Sequence, residues 1–195
     1  KINWANLARN CHHAMIRLAR EYPQIQVIIK SKKHVLAMEA LNTGLGEEFE
    51  PPANLEVLVG GNSFDLIVGC DVICGINSGS MFEALAANVA VVSPHFDEAA
   101  ETLTAPYFVD LGEAAGRANS ADELVTMMAE KALARPARSR SSELSEASCQ
   151  ALEKWVKNAD GKAGERVSEG IMGLVEERRS ATRSVDQPVA RTVQA

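Results

Sequence analysis

The chain has 195 residues, 46% apolar and 24% charged, a composition that supports a sizeable core and excludes a wholly disordered protein. Its formal net charge of -6 disfavours a general nucleic-acid binder, which would present a basic surface. No apolar run approaches the roughly 18 residues of a membrane span, and the longest candidate, 67–76, is interrupted by Asp71.

Residues 4–22 place Trp4, Leu7, Cys11, Met15, Leu18 and Tyr22 at three-to-four spacing, one apolar stripe of a helix that Asn3 can cap and Pro23 closes. Residues 25–29 (IQVII) form a short run without polar alternation, which suits a strand buried on both faces of a parallel sheet. The order then repeats. Helix is expected at 35–41, strand at 55–59, helix at 64–68, strand at 72–76, helix at 82–87 and strand at 89–92. Short apolar strands alternating with helices imply βαβ units and right-handed crossovers, hence an open α/β sheet. Beyond Pro94 the pattern loosens, and 107–109 reads as one further short strand. Ser120 and Glu123 form a Ser-x-x-Glu capping box that opens a helix running to about Leu133. Residues 135–142 (RPARSRSS) read as a linker, 143–157 and 163–178 as helices, and 179–195 as a disordered tail. The expected organisation is one α/β domain over 1–134, helices packing on it over 135–178, and the tail.

In an open parallel sheet, ligands bind at the carboxyl ends of the strands. The strand expected to end at Ile76 runs into Asn77, Ser78, Gly79 and Ser80 and then into helix. Small residues there let amides approach a phosphate, and the helix start favours an anion. The same residues also suit a plain capped turn. Glu83 has two readings: a second capping box with Ser80, or a carboxylate that grips both hydroxyls of a ribose. Lys30, at the end of the first strand, can balance a diphosphate, with Lys32, Lys33 and His34 just after it. Gly60 and Gly61 end the next strand, where bare backbone can face a flat base or simply turn. His95 follows another strand end, as a cleft residue or a surface-loop histidine. Adjacent His12 and His13 point different ways on a helix, and no spaced His, Cys or carboxylate cluster suggests zinc. GxGxxG, Walker lysine and GxSxG patterns are absent, which argues against dehydrogenase, P-loop and α/β-hydrolase chemistry. The four cysteines, Cys11, Cys70, Cys74 and Cys149, contain no CxxC pair and point to a reducing cytoplasm. Lys1 opens the chain with neither Met nor a signal-peptide pattern, so a fragment lacking its N-terminal part is expected.

Residues 55–94 (LEVLVGGNSFDLIVGCDVICGINSGSMFEALAANVAVVSP) resemble the nucleotide-sugar-binding, C-terminal half of GT-B glycosyltransferases. The corresponding pieces are 57–61, 64–71, 77–80, Glu83-Ala84 and 89–93. Residues 27–30 (VIIK) are similar to a segment of bacterial surface-polysaccharide and capsule transferases, and 160–166 (DGKAGER) to the end of some of them. Two departures stand out: Ala87-Asn88-Val89-Ala90 replaces the usual Gly-Lys-Pro before the last strand, and Ser31-Lys32-Lys33-His34 follows the lysine.

The resemblance implies a Rossmann-like open parallel sheet with helices on both faces, plus C-terminal helices. It implies that Glu83 holds the ribose, that Ser78, Gly79 and Ser80 meet the diphosphate, and that Asn77 belongs to the same nucleotide-sugar site. Lys30 and Lys32 would neutralise leaving-group charge, and Gly60 and Gly61 would border the base. The implied partners are a nucleotide-sugar donor, a glycan or lipid-linked acceptor, and an N-terminal domain carrying the acceptor-side base. Neither a cofactor nor a metal is expected. The implied location is the cytoplasm, peripheral to the inner membrane face. Two other readings stay open: a UDP-sugar 2-epimerase-like enzyme, and a non-catalytic Rossmann-like interaction module in which Glu83 only caps its helix.

Overall fold

A computed structural model describes residues 4–31, 50–134, 143–157 and 160–185. The helix expected at 35–41, Lys32 and the linker 135–142 lie outside them. The chain divides into two compact units, Lys1–Trp155 and Val156–Ala195.

The first unit begins with α1, Ala5–Glu21, whose stripe of Leu7, Cys11, Ala14 and Leu18 is buried. The expected cap, Asn3, lies outside the described residues, and Trp4 at the N-cap makes no side-chain bond. A distant carboxylate takes that role. Glu98 Oε1 accepts from the Asn6 amide at 3.0 Å and Oε2 from the Leu7 amide at 2.7 Å, with Glu98 only 8% exposed. At the other end of α1, Asn54 Nδ2 donates to the carbonyls of Ala19, Tyr22 and Ile25. Because Asn54 captures the Ile25 carbonyl, β1 is Val27–Ser31, two residues later than the 25–29 run predicts.

Four further strands follow: β2 Leu55–Val59, β3 Val72–Cys74, β4 Ala90–Pro94 and β5 Gly116–Ala118. β1 pairs with β2, while β3, β4 and β5 form a second ladder, and every pairing is parallel. The helices are α2 Ser63–Gly69, α3 Gly79–Ala86, α4 Ala121–Leu133 and α5 Glu146–Trp155.

Pleating sends neighbouring residues of β4 to opposite faces. Val92 packs in one cluster with Leu7, Ile16, Leu18 and Leu124, from α1 and α4. Val91 packs in the other with Ile67, Met81, Leu85 and Leu152, from α2, α3 and α5. β3 divides likewise, Val72 and Cys74 against the first cluster and Ile73 against the second. The fold is therefore the expected Rossmann-like α/β arrangement, with helices on both faces. α5 belongs with this unit: Ala151 and Leu152 join its core, and Trp155 Nε1 donates to the Asp110 carbonyl at 2.9 Å.

The ladders are co-oriented. Glu98, four residues past β4, caps the start of α1, and Cys74 at the end of β3 packs on the core cluster that holds Cys11, its thiol close enough to act on that of Cys11. The end of α1 is tied to Asn54, immediately before β2. The carboxyl ends of β2, β3 and β4 thus share one edge. That thiol contact, together with burial, pushes Cys11 far above the ordinary cysteine range, so it is a core group rather than a nucleophile.

The strand expected at 107–109 does not form. A 3-10 turn, Ala105–Tyr107, stands there, and the Val109 amide is spent on the Asn77 side chain. The fifth strand is the polar, glycine-led β5. In the second unit, α6 spans Ala163–Val185, so the helix continues past Arg179, where the sequence pattern ends it. Asp160 anchors its start, accepting from Arg166 Nη1 at 2.8 Å, Arg166 Nη2 at 2.6 Å and the Lys162 amide at 3.1 Å. These bonds hold the Asp160 carboxyl well below the usual carboxylate range.

Burial opposes ionisation of Glu98, yet the Leu7 and Asn6 amides prevail and hold its pKa below the ordinary 4.5. Its contribution is therefore complete above that value and is lost as pH falls through the folded one. Burial and the neighbouring His13 lower His12 below 6.5, so His12 disfavours protonation and costs stability as pH falls below 6.5. Glu98→Gln turns a donor toward one of the two amides and is expected to cost about 1–3 kcal/mol at neutral pH. It should also flatten the lower of two acid windows, while His12→Gln flattens the upper one. Urea midpoints measured from pH about 7 to about 3 check both outcomes.

Candidate functional site

The shared edge gathers the loops where sequence analysis places a nucleotide. Lys30, half-buried near the end of β1, pairs in register with Leu58 and has no carboxylate partner among the described residues. Gly60 and Gly61 follow β2 in the left-handed region, φ +72° and +73°, with open space where a Cβ would stand. That conformation explains glycine at both positions.

The turn from β3 into α3 is built on two close constraints. Gly75 lies against Met81, which is fully buried, and a Cβ there would meet Met81 Cγ at 2.6 Å. Asn77 then adopts φ +46°, donates from Nδ2 to the Tyr107 carbonyl at 2.9 Å, and accepts the Val109 amide on Oδ1 at 2.8 Å. Its side chain is committed to the 107–109 loop, so Asn77 positions the corner through backbone and loop.

Ser78 is extended and caps α3, its Oγ accepting from the Ser80 amide at 3.3 Å and meeting Ser80 Oγ at 3.2 Å. The capping box that is one of the two readings of Ser80 and Glu83 does not form, because the helix starts two residues before that pattern requires. Gly79, the first helical residue, is exposed, has open space around it, and its amide has no acceptor among the described residues.

An isolated helix of eight residues is not stable, so packing sets the orientation of α3. Met81, Ala84 and Leu85 are buried, each large side chain contributing about 1.5–3 kcal/mol. That stripe turns Glu83 to solvent, and helical side chains lean toward the N-terminus. Glu83 is exposed and has no hydrogen-bond or ion-pair partner among the described residues. The starts of α1 and α4 are closed more fully, α1 by both oxygens of Glu98 and α4 by Ser120, with Glu123 accepting from the Asn119 amide at 2.7 Å, whereas α2, like α3, has a single side-chain bond, Asn62 accepting from Phe64.

His95, at the carboxyl end of β4, lines a cleft rather than standing as an isolated loop residue. Arg117 of β5 donates from Nη2 to His95 Nδ1 at 3.1 Å. Arg117 carries no signal in the sequence, since the GRA triplet has no strand pattern. The capping box immediately after it is the signal that marks a strand end. Among the described residues, no cluster of three or more metal-ligating side chains occurs, and no helix is long and apolar enough to cross a membrane. No protein-family model, curated protein or solved structure matches the chain.

Asn77→Ala removes two hydrogen bonds and strains a left-handed residue, whereas Asn77→Gly removes the bonds alone. The alanine variant is expected to lose about 2–4 kcal/mol and the glycine variant roughly 1 kcal/mol less. Denaturant unfolding measures the difference, and faster amide exchange at Val109 in both variants checks its origin.

Proposed function

We propose that the chain is the donor-binding half of a glycosyltransferase that moves a sugar from a nucleotide sugar to a surface-glycan acceptor. The observation that carries this reading is the α3 start. An open glycine amide and two serine hydroxyls stand at the end of a parallel strand, with a carboxylate one turn along that has no partner among the described residues. Amides and the positive end of a helix suit the diphosphate, and a carboxylate suits the vicinal hydroxyls of ribose.

The chemistry follows from charge. Glycosyl transfer builds negative charge on the departing diphosphate, and preoriented amides stabilise that charge without reorganising. Lys30, half-buried near the end of β1 on the same edge, adds a point charge on this reading. Gly60 and Gly61 offer bare backbone to the base. The group that accepts the acceptor's proton belongs, on this reading, to a facing domain, so residues 1–195 bind nucleotide without transferring sugar.

Calorimetric titration with UDP, CDP and GDP tests the reading. At least one is expected to bind, and Glu83→Gln should weaken it about tenfold or more, the effect of a lost hydrogen bond to a charge. The melting temperature should hold, because Glu83 is exposed and caps nothing. Binding by none of the three, or unchanged affinity in Glu83→Gln, overturns the assignment.

A further inference from the structure

We infer that the cleft at the carboxyl ends of β4 and β5 is a separate recognition site for an anionic monosaccharide unit, a sugar ring bearing a carboxylate or phosphate. Neither Glu83 nor Ser78, Gly79 and Ser80 line this cleft, so its test is separate from that of the nucleotide reading.

The cleft lies on the face of β4 that carries Val91, because Ser93 is two residues further along the same pleat. The segment 105–113 roofs it, and the Asn77 bond to the Val109 amide holds that roof. Its volume is about 360 Å³, near the small end of the roughly 300–1,000 Å³ of ligand pockets, which suits one sugar ring.

Arg117 supplies a cation to a cleft that the carboxylates of Asp110 and Glu113 also line. Arg117 is fixed by two neutral acceptors, His95 Nδ1 at 3.1 Å and Asn119 Oδ1 at 3.3 Å, and no carboxylate among the described residues forms an ion pair with it. Asp110 lines the same cleft but is spent locally, its Oδ1 accepting from the Gly112 amide at 2.9 Å. A guanidinium oriented in this way keeps N–H groups for an incoming anion, and carboxylate or phosphate matches its fork. Arginine can only donate, so His95 Nδ1 accepts and the ring proton sits on Nε2, a second donor.

The remaining lining suits a sugar ring rather than a bare ion. Phe108 contributes an apolar surface, with His95 set edge-on to its ring at 6.2 Å. Ser93, 8% exposed, offers a hydroxyl, and exposed Glu113 has no partner among the described residues and can accept from sugar hydroxyls.

The test titrates the full 195-residue chain with glucuronate, glucose 6-phosphate, glucose and inorganic phosphate. The readouts are the NMR signals of Arg117 Nε–H and the His95 ring. One of the two acidic sugars is expected to give a saturable shift at least tenfold tighter than glucose or phosphate, and which one responds identifies the anion. Arg117→Gln should weaken that binding at least tenfold, while Glu83→Gln leaves it unchanged. Should Arg117→Gln disturb the fold, His95→Phe, which keeps a ring against Phe108 and removes the donor, carries the same expectation. No saturable response, an equal response to glucose or phosphate, or full binding in the folded variants overturns the inference.

Discussion

The Glu98 carboxylate sits where water scarcely reaches and accepts two amides from the first turn of a helix more than ninety residues away in sequence. A buried charge persists only if it is bonded, and a helix start is a place of unsatisfied donors, so each satisfies the other. Asp97 extends the contact, accepting from Asn10 Nδ2 at 2.6 Å, and the Thr104 hydroxyl donates to the Glu98 carbonyl. This one junction fixes the start of α1 to the carboxyl end of β4. With Asn54 holding the other end of α1 to the start of β2, the two ladders have no choice of direction. The loops after β2, β3 and β4 then emerge on one edge.

That edge carries two patches of N–H donors, produced by different physics. At α3 it is backbone: a helix start whose side-chain cap is a single long hydrogen bond. At β5 it is a guanidinium positioned by uncharged neighbours. Asn77 joins them mechanically, since its backbone sets where α3 begins and its side chain holds the roof over the β4–β5 cleft. A ligand that displaced the 107–109 loop would therefore also disturb the corner at Ser78, and the reverse. Coupling of this kind needs no long path, because the two patches meet at one residue.

Elements whose signal is local were legible in the sequence. β2 coincides with its apolar run, α4 begins at its capping box, and both core faces of β4 follow from the alternation of Val91 and Val92. Elements set by partners far along the chain were not. β5 has one buried residue, Ala118, and becomes a strand because β4 offers a free edge. The run 107–109 looks like a strand until Asn77 takes the Val109 amide. The cap of α1 comes from Glu98, which no local spacing connects to residue 7. Among the site residues, the strand-end positions of Lys30, Gly60, Gly61 and Ser78 were legible, but the commitment of Asn77 and the orientation of Arg117 were not, because both depend on tertiary hydrogen bonds.

The motif Ser-x-x-Glu occurs twice on this edge with opposite outcomes, and the difference lies in where each helix begins. After β5, Asn119 alone separates the strand from Ser120, so Ser120 takes the cap and Glu123 folds back onto the Asn119 amides. After β3, Gly75 is pinned by Met81 and Asn77 turns through the left-handed region, leaving Ser78 as the extended residue that caps. Ser80 then falls inside the helix, and Glu83 lies two residues beyond the position from which it could reach a cap. In α4 the glutamate is spent on structure; in α3 the same spacing leaves its carboxylate without a structural task. A left-handed asparagine thus separates a helix start closed by its glutamate from one that is not, and a shift of the cap by two residues carries the distinction.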